Sequence, residues 1–325
     1  MDTNNETPRI KPSNELVNPV DGIVNWSFSK SLWLTAHGLI ALIGGLFTLS
    51  LEAILVFLTT TAITLCLGHS LGMHRRLIHN SYECPKWLEY FFVHLGTLVG
   101  MAGPLGMVYS HDLRDWAQRQ PNCHDYLRHG QRFLKDGWWQ LHCDIHLTHP
   151  PAFQPEPAIA NDKVYQWMER TWMWQQLPWA ILFFCIGGLP WVIWGISARI
   201  VVSVTGHWLI GYFAHNQGGR DWHLKGAAVQ GHNVKFAGLI TMGESWHNNH
   251  HAYPGSAILG IYKGQTDPGW WVLNRLMNIG LVWNVKLPED MPYRPELNAI
   301  SEKGLQADLV KSPKPCALMS RLSLG

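Results

Sequence analysis

The chain has 325 residues, of which only 15% are charged, against about 25% in an ordinary soluble domain. A formal net charge of +2 and the lack of any Lys/Arg block leave no footprint for nucleic acid. Five stretches, 31–51, 53–74, 90–111, 171–198 and 200–219, hold no Asp, Glu, Lys or Arg, and since roughly 20 apolar helical residues cross a bilayer core, an ordinary soluble globule is excluded.

Residues 1–30 form a polar N-terminal segment without the basic-then-apolar pattern of a cleaved signal, so no part of it is expected to be removed. Two spans are expected near 32–49 and 53–71, and the few residues between them force an antiparallel hairpin. Arg75 and Arg76, and later Arg114, Arg128, Arg220 and Lys235, fall on the side where its ends emerge. The positive-inside rule makes that side the cytoplasm. The stretch 90–110 contains Gly96, Gly100, Gly103, Pro104 and Gly106, which make a poor continuous helix, so it reads as a re-entrant apolar segment under a helical cytoplasmic cap. A second hairpin is expected from spans near 172–189 and 199–214, turned by Gly187, Gly188 and Pro190. Arg199 would stand at the outer end of the fourth span and snorkel to the headgroups. The cap takes in 74–87, 111–170 and 215–288, and 289–325 reads as a disordered tail. The expected fold is therefore an all-α integral membrane domain over 31–288, with four transmembrane helices in two hairpins and both termini cytoplasmic.

Six cysteines show no CxxC pair, which argues against a zinc ribbon or a disulfide framework. Many of the 18 tryptophans, among them Trp26, Trp33, Trp87, Trp138 and Trp172, flank spans as an interfacial belt would.

The 18 histidines gather where the expected spans empty into the cytoplasm. His74 and His79 follow the second span, His111 follows the re-entrant stretch, His215 ends the fourth span, and His247, His250 and His251 close one short motif. The last three have i, i+3, i+4 spacing and on a helix point along one face, a metal-ligand arrangement. His74 and His79 would diverge by about 140° on an α-helix, so they share a metal only where ligands surround it from several directions. Neutral imidazole suits iron, zinc, copper or nickel alike. His37, His94, His149, His223 and His232 read as structural, while His207, an ionisable group inside a span, is left open between a structural and a functional role.

His74–Arg–Arg–Leu–Ile–His79 and His247–Asn–Asn–His–His251 resemble the HxxxxH and HxxHH boxes of the membrane fatty-acyl desaturases, most nearly the acyl-CoA Δ9 (stearoyl-CoA) type. Gly243–Glu244 before the last box, Pro254 after it, and Trp208–Leu209 followed by His215 and Arg220 are similar as well. The resemblance implies two non-haem iron ions held by His74, His79, His111, His215, His247, His250 and His251. It also implies O2-dependent removal of two hydrogens from a long acyl chain carried by CoA or lipid. The middle box departs: His111 is followed by Arg114 and Asp115 where further histidines stand in the family. Asp115 is a provisional ligand, and His124, His129, His142 and His146 are alternatives. Gly211, four residues before His215, replaces a usual asparagine. Electrons would come from an external ferredoxin or b-type cytochrome with its reductase, because the chain carries no iron–sulfur cysteine pattern. A hydroxylase or ketolase of the same superfamily is the nearest alternative; a histidine-rich metal-binding membrane protein without catalysis is the second.

Overall fold

The computed structural model describes residues 9–306, and it is mostly helical. Among the described residues, three helices are long and apolar enough to cross a membrane: Phe28–Thr48, Leu51–Ile78 and Gln176–Asn216. Their outer faces are apolar and open; Leu46 and Phe47 are 75% and 84% exposed. Lipid is the solvent that such faces fit, and this is a membrane protein. Leu49 and Ser50 leave helical geometry and break the first pair of helices apart. Ser50 then caps the second, its Oγ accepting the Ala53 N–H at 3.2 Å.

The 41-residue run Gln176–Asn216 is one continuous helix only in name. Gly188 takes φ +66° and ψ −159°, a conformation a side chain resists, and there the chain turns back on itself. The Phe183 ring closes on Gly195 beyond the turn, and the Gln176 side chain meets Arg199. The Gly–Gly–x–Pro signal thus stands at the turn. Arg199 does not stand at an outer end, as the sequence suggested. It is 2% exposed inside the returning arm, with Nε donating to Gly195 O at 2.7 Å and its Nη atoms donating to Leu98 O and Gln176 Oε1. Three protein acceptors replace the headgroups.

The stretch 90–110 divides between two helices, Lys86–Leu98 and Pro104–Arg119. The first lies backbone to backbone against the second long helix. A Cβ on Gly68 would come within 2.4 Å of Gly96 N, and one on Gly72 within 2.5 Å of Phe92 O. This is the small-xxx-small packing that membrane helices use. Leu71, Leu88, Phe92, Ile258, Ile261, Trp270 and Leu273 form a buried cluster that joins these helices to the segment after the last histidine motif.

The segments outside the long helices depart from the all-helical expectation. Among the described residues, three small antiparallel sheets pair Ile10–Lys11 with Ala152–Phe153, Gly22–Trp26 with Cys143–Leu147, and Trp222–Leu224 with Leu297–Ala299. The last pairing also corrects the expected tail. Residues 289–306 are tied down by hydrogen bonds rather than apolar burial, including Arg294 Nη1 to His251 O at 2.9 Å and Ser301 Oγ to Asp221 Oδ1 at 2.6 Å. The rest of the tail lies outside the described residues.

Candidate metal centre

Seven of the sequence-predicted histidines converge in two groups. His74, His79, His111 and His250 form the first, and His215, His247 and His251 the second; within each, one ring nitrogen per residue lies within 4.8 Å of all the others.

The divergence expected between His74 and His79 does not occur, because the helix changes pitch. From Thr64 to Ile78 it is π-type, so residues five apart stack one above the other. His79 N–H donates to His74 O at 3.0 Å, and the two rings stand 4.8 Å apart. His111, on the helix Pro104–Arg119, brings its Nε2 to 3.3 Å from His79 Nε2.

The last motif forms the short helix His247–Ala252, but its three imidazoles do not serve one site. His250 joins the first group while His247 and His251 face the second, with His247 and His250 rings 5.7 Å apart. His247 Nε2 lies 3.0 Å from both His215 Nε2 and His251 Nε2. The asparagines between the histidines anchor this helix. Asn248 Oδ1 accepts from Asp221 N and Trp222 N, and Asn249 Nδ2 donates to Leu259 O and Gln265 Oε1.

The chemistry of this donor set fits a cation. Two nitrogens bound at about 2.1 Å to one ion are themselves roughly 3 to 4 Å apart, and the pairs His79–His111, His215–His247 and His247–His251 stand at 3.0 to 3.3 Å. His215 Nδ1 donates to Gly211 O at 2.7 Å, leaving the Nε2 lone pair facing His247. Burial, reinforced by neighbouring imidazoles, pushes His79, His247, His250 and His251 well below the ordinary histidine range. They are neutral near pH 7 and offer lone pairs.

Sequence reasoning missed the groups that orient these rings. Glu244 Oε2 lies 2.7 Å from His74 Nδ1 and Glu244 Oε1 accepts from Ser70 Oγ. Burial drives the Glu244 carboxyl up, but the His74 ring and the Arg75 guanidinium outweigh it and hold the group well below the usual carboxylate range. Asp112 Oδ1 lies 3.2 Å from His111 Nδ1, and its Oδ2 accepts from Arg9 Nη1 at 3.1 Å. Arg9 also donates to Ile78 O and Leu77 O, so the N-terminal segment clamps the end of the helix that carries His74. Carboxylates on the far nitrogen of a ligating imidazole are the usual second layer of a metal site. Asp112 next to His111 and Glu244 three residues before His247 were the available signal.

Asp115 is not brought to either group; it pairs with Arg119 at 2.8 Å. Of the alternatives, His124 caps the short turn at Tyr126 and His142 contacts Ser31. His146 sits in a strand. His129 alone lies beside the second group, its ring stacked on His215. His207 packs edge-on against His69, 4.9 Å away, and His69 in turn stacks on His74.

No protein-family model matches the chain. It is similar to the sn-1 stearoyl-lipid 9-desaturase of Anabaena variabilis, 34% identical over 82% of this chain and 95% of that protein. It is also similar to the sn-2 palmitoyl-lipid 9-desaturase of a Nostoc species, 31% identical over 77% and 86%. A third relative is an acyl-CoA 5-desaturase of Anemone leveillei, 30% identical over 78% and 81%. The chain accordingly belongs to the fatty-acyl desaturase family and is an oxidoreductase that acts on fatty acyl chains.

Proposed function

We propose that the two histidine groups hold a pair of non-haem iron ions, one among His74, His79, His111 and His250, the other with His215, His247 and His251. The observation that carries this reading is the convergence of seven imidazoles on two adjacent points, bridged by the helix His247–Ala252. Bound iron would supply the oxidising power that unactivated methylenes require and that no side-chain acid or base can provide. The chain's own part is to fix each ring by its far nitrogen, through Glu244, Asp112 and the Gly211 carbonyl, and to surround the rings with protein so that bulk water is kept away.

The substrate is a long acyl chain carried by lipid or CoA, the two carriers in the relatives' names. Loss of two hydrogens from adjacent carbons, with O2 reduced to two waters, needs two further electrons and two protons. An external ferredoxin or b-type cytochrome with its reductase delivers those electrons. The reading places four membrane passages, one on each side of the Ser50 turn and one on each side of the Gly188 turn, with the metal groups, the cap and both termini cytoplasmic. The lysine and arginine distribution supports that orientation.

The test is product analysis by mass after supplying the full chain, in iron-replete membranes, with a donor system and saturated acyl lipid or acyl-CoA. A product lighter by two hydrogens is expected. A product heavier by one oxygen would assign a hydroxylase instead.

A further inference from the structure

The first histidine group has four nitrogens and the second has three. Arg114 and Asp115 occupy the middle-box positions that differ from the family's, and neither is a ligand in this geometry. Arg114 turns away to the loop that follows its helix: Nη1 donates to Leu127 O at 2.9 Å and Tyr126 O at 3.3 Å, and Nη2 to Gln140 Oε1 at 2.8 Å.

That loop ends in His129. The residue is only 5% exposed and takes a left-handed conformation, φ +56°, which a non-glycine residue holds only where its surroundings enforce it. Its carbonyl accepts from Asn216 Nδ2 at 3.1 Å, tying it to the end of the helix that carries His215. Its Nδ1 lies 2.9 Å from Oδ2 of Asp136, a carboxylate with 0% exposure that also accepts from Trp208 Nε1 at 2.9 Å. With Nδ1 held on the Asp136 carboxyl, the ring that carries its proton on Nδ1 keeps a lone pair on Nε2. No hydrogen bond to that Nε2 is found among the described residues.

Its ring nitrogens do not lie within 4.8 Å of all three of the second group's, but the ring stands directly beside that group. The ring stacks on His215 at 5.3 Å with the planes 14° apart. Position 211 lies one helical turn before His215 on the same face, and a Cβ there would come within 3.2 Å of His129 Nε2. Because Gly211 has no side chain, His129 fills the space that a residue at that position would use to reach the second group.

We propose that His129 is a further ligand of the second metal position, oriented by Asp136, and that Arg114 holds the loop that delivers it. The middle box has exchanged direct ligands for a tether to a histidine further along the chain. An imidazole with its far nitrogen on a buried carboxylate is the form in which histidine commonly binds a metal.

This inference rests on the two-iron reading above. The experiment uses the full chain purified in detergent from iron-replete cells, with iron counted per chain. Two ions are expected in the wild type and one in His129→Ala, at unchanged elution volume. As an independent readout, His129→Cys is loaded with cobalt(II), and a thiolate-to-cobalt charge-transfer band absent from the wild type is expected. Two ions retained in His129→Ala, or no new band in His129→Cys, would overturn the assignment of His129 alone. A wild type that binds no metal would overturn the two-iron reading and this inference with it.

Discussion

The two histidine groups share one short helix yet are assembled by different means. The first is built on regular helices: His74 and His79 on a π-type segment, His111 on the adjoining helix, with Glu244, Asp112 and Arg9 locking the far nitrogens. The second is built at a helix end, from His215 at the exit of the returning arm and two rings of the short helix, with His129 brought up by a loop. Geometry in the first is set by backbone packing, and in the second by side chains reaching across loops. The two groups therefore rest on different supports, and Arg114 and Gly211, two positions that depart from the desaturase pattern, both bear on the second.

The largest effects come from removing rings. His250→Ala should empty the first position and His247→Ala the second, each with at least about a hundredfold loss of desaturation, more than a supporting residue costs. Iron per chain and product yield, read together, check this. If His250→Ala emptied the second position instead, the division between the groups would be wrong.

Next in size is the packing beneath the first group. Gly72→Leu forces a side chain into a gap where a Cβ alone meets backbone at 2.5 Å, so it should destabilise the fold by about 1–3 kcal/mol or more. Thermal unfolding in detergent would show this, together with loss of iron from the first position before the second. Loss from both at once would mean that the sites do not have separate foundations.

The supporting carboxylates should act on their own side. Glu244→Gln and Arg9→Ala are expected to weaken the first site by about 10- to 100-fold in metal affinity, and Arg114→Leu to weaken only the second. Competition with a chelator separates these outcomes.

Acidification sharpens the comparison less. Burial holds His79, His247, His250 and His251 neutral in the fold, whereas an unfolded chain protonates its histidines below about pH 6.5. The unfolded state then binds more protons, so the metal-free protein should be most stable above that pH and lose stability as pH falls. Unfolding temperatures of the chelator-treated protein across that range give the sign.

The smallest effect belongs to Asp115. Its pairing with Arg119 one turn away is worth about 0–1 kcal/mol, so Asp115→Ala should keep both ions and unfold within a degree or two of the wild type.

Much of this arrangement was legible in the sequence. Charge-free stretches marked the apolar helices, Gly187–Gly188–x–Pro190 marked the second turn, and histidine spacing marked seven rings that the fold brings together. What was not legible depends on local pitch and distant partners. An α-helical wheel separates His74 from His79, and nothing in their spacing announces a π-type segment. Arg199 looked like a membrane-surface residue because its acceptors, Leu98 and Gln176, are far away in the chain. His129 carries no box spacing at all; its place depends on Asp136, on Arg114 and on a glycine one turn before His215.

Anomalous scattering at the iron edge from crystals of the full, iron-loaded chain tests the two metal positions most directly. Two peaks are predicted, one among His74, His79, His111 and His250 and one among His215, His247 and His251. A single peak, or none within reach of these rings, would contradict it.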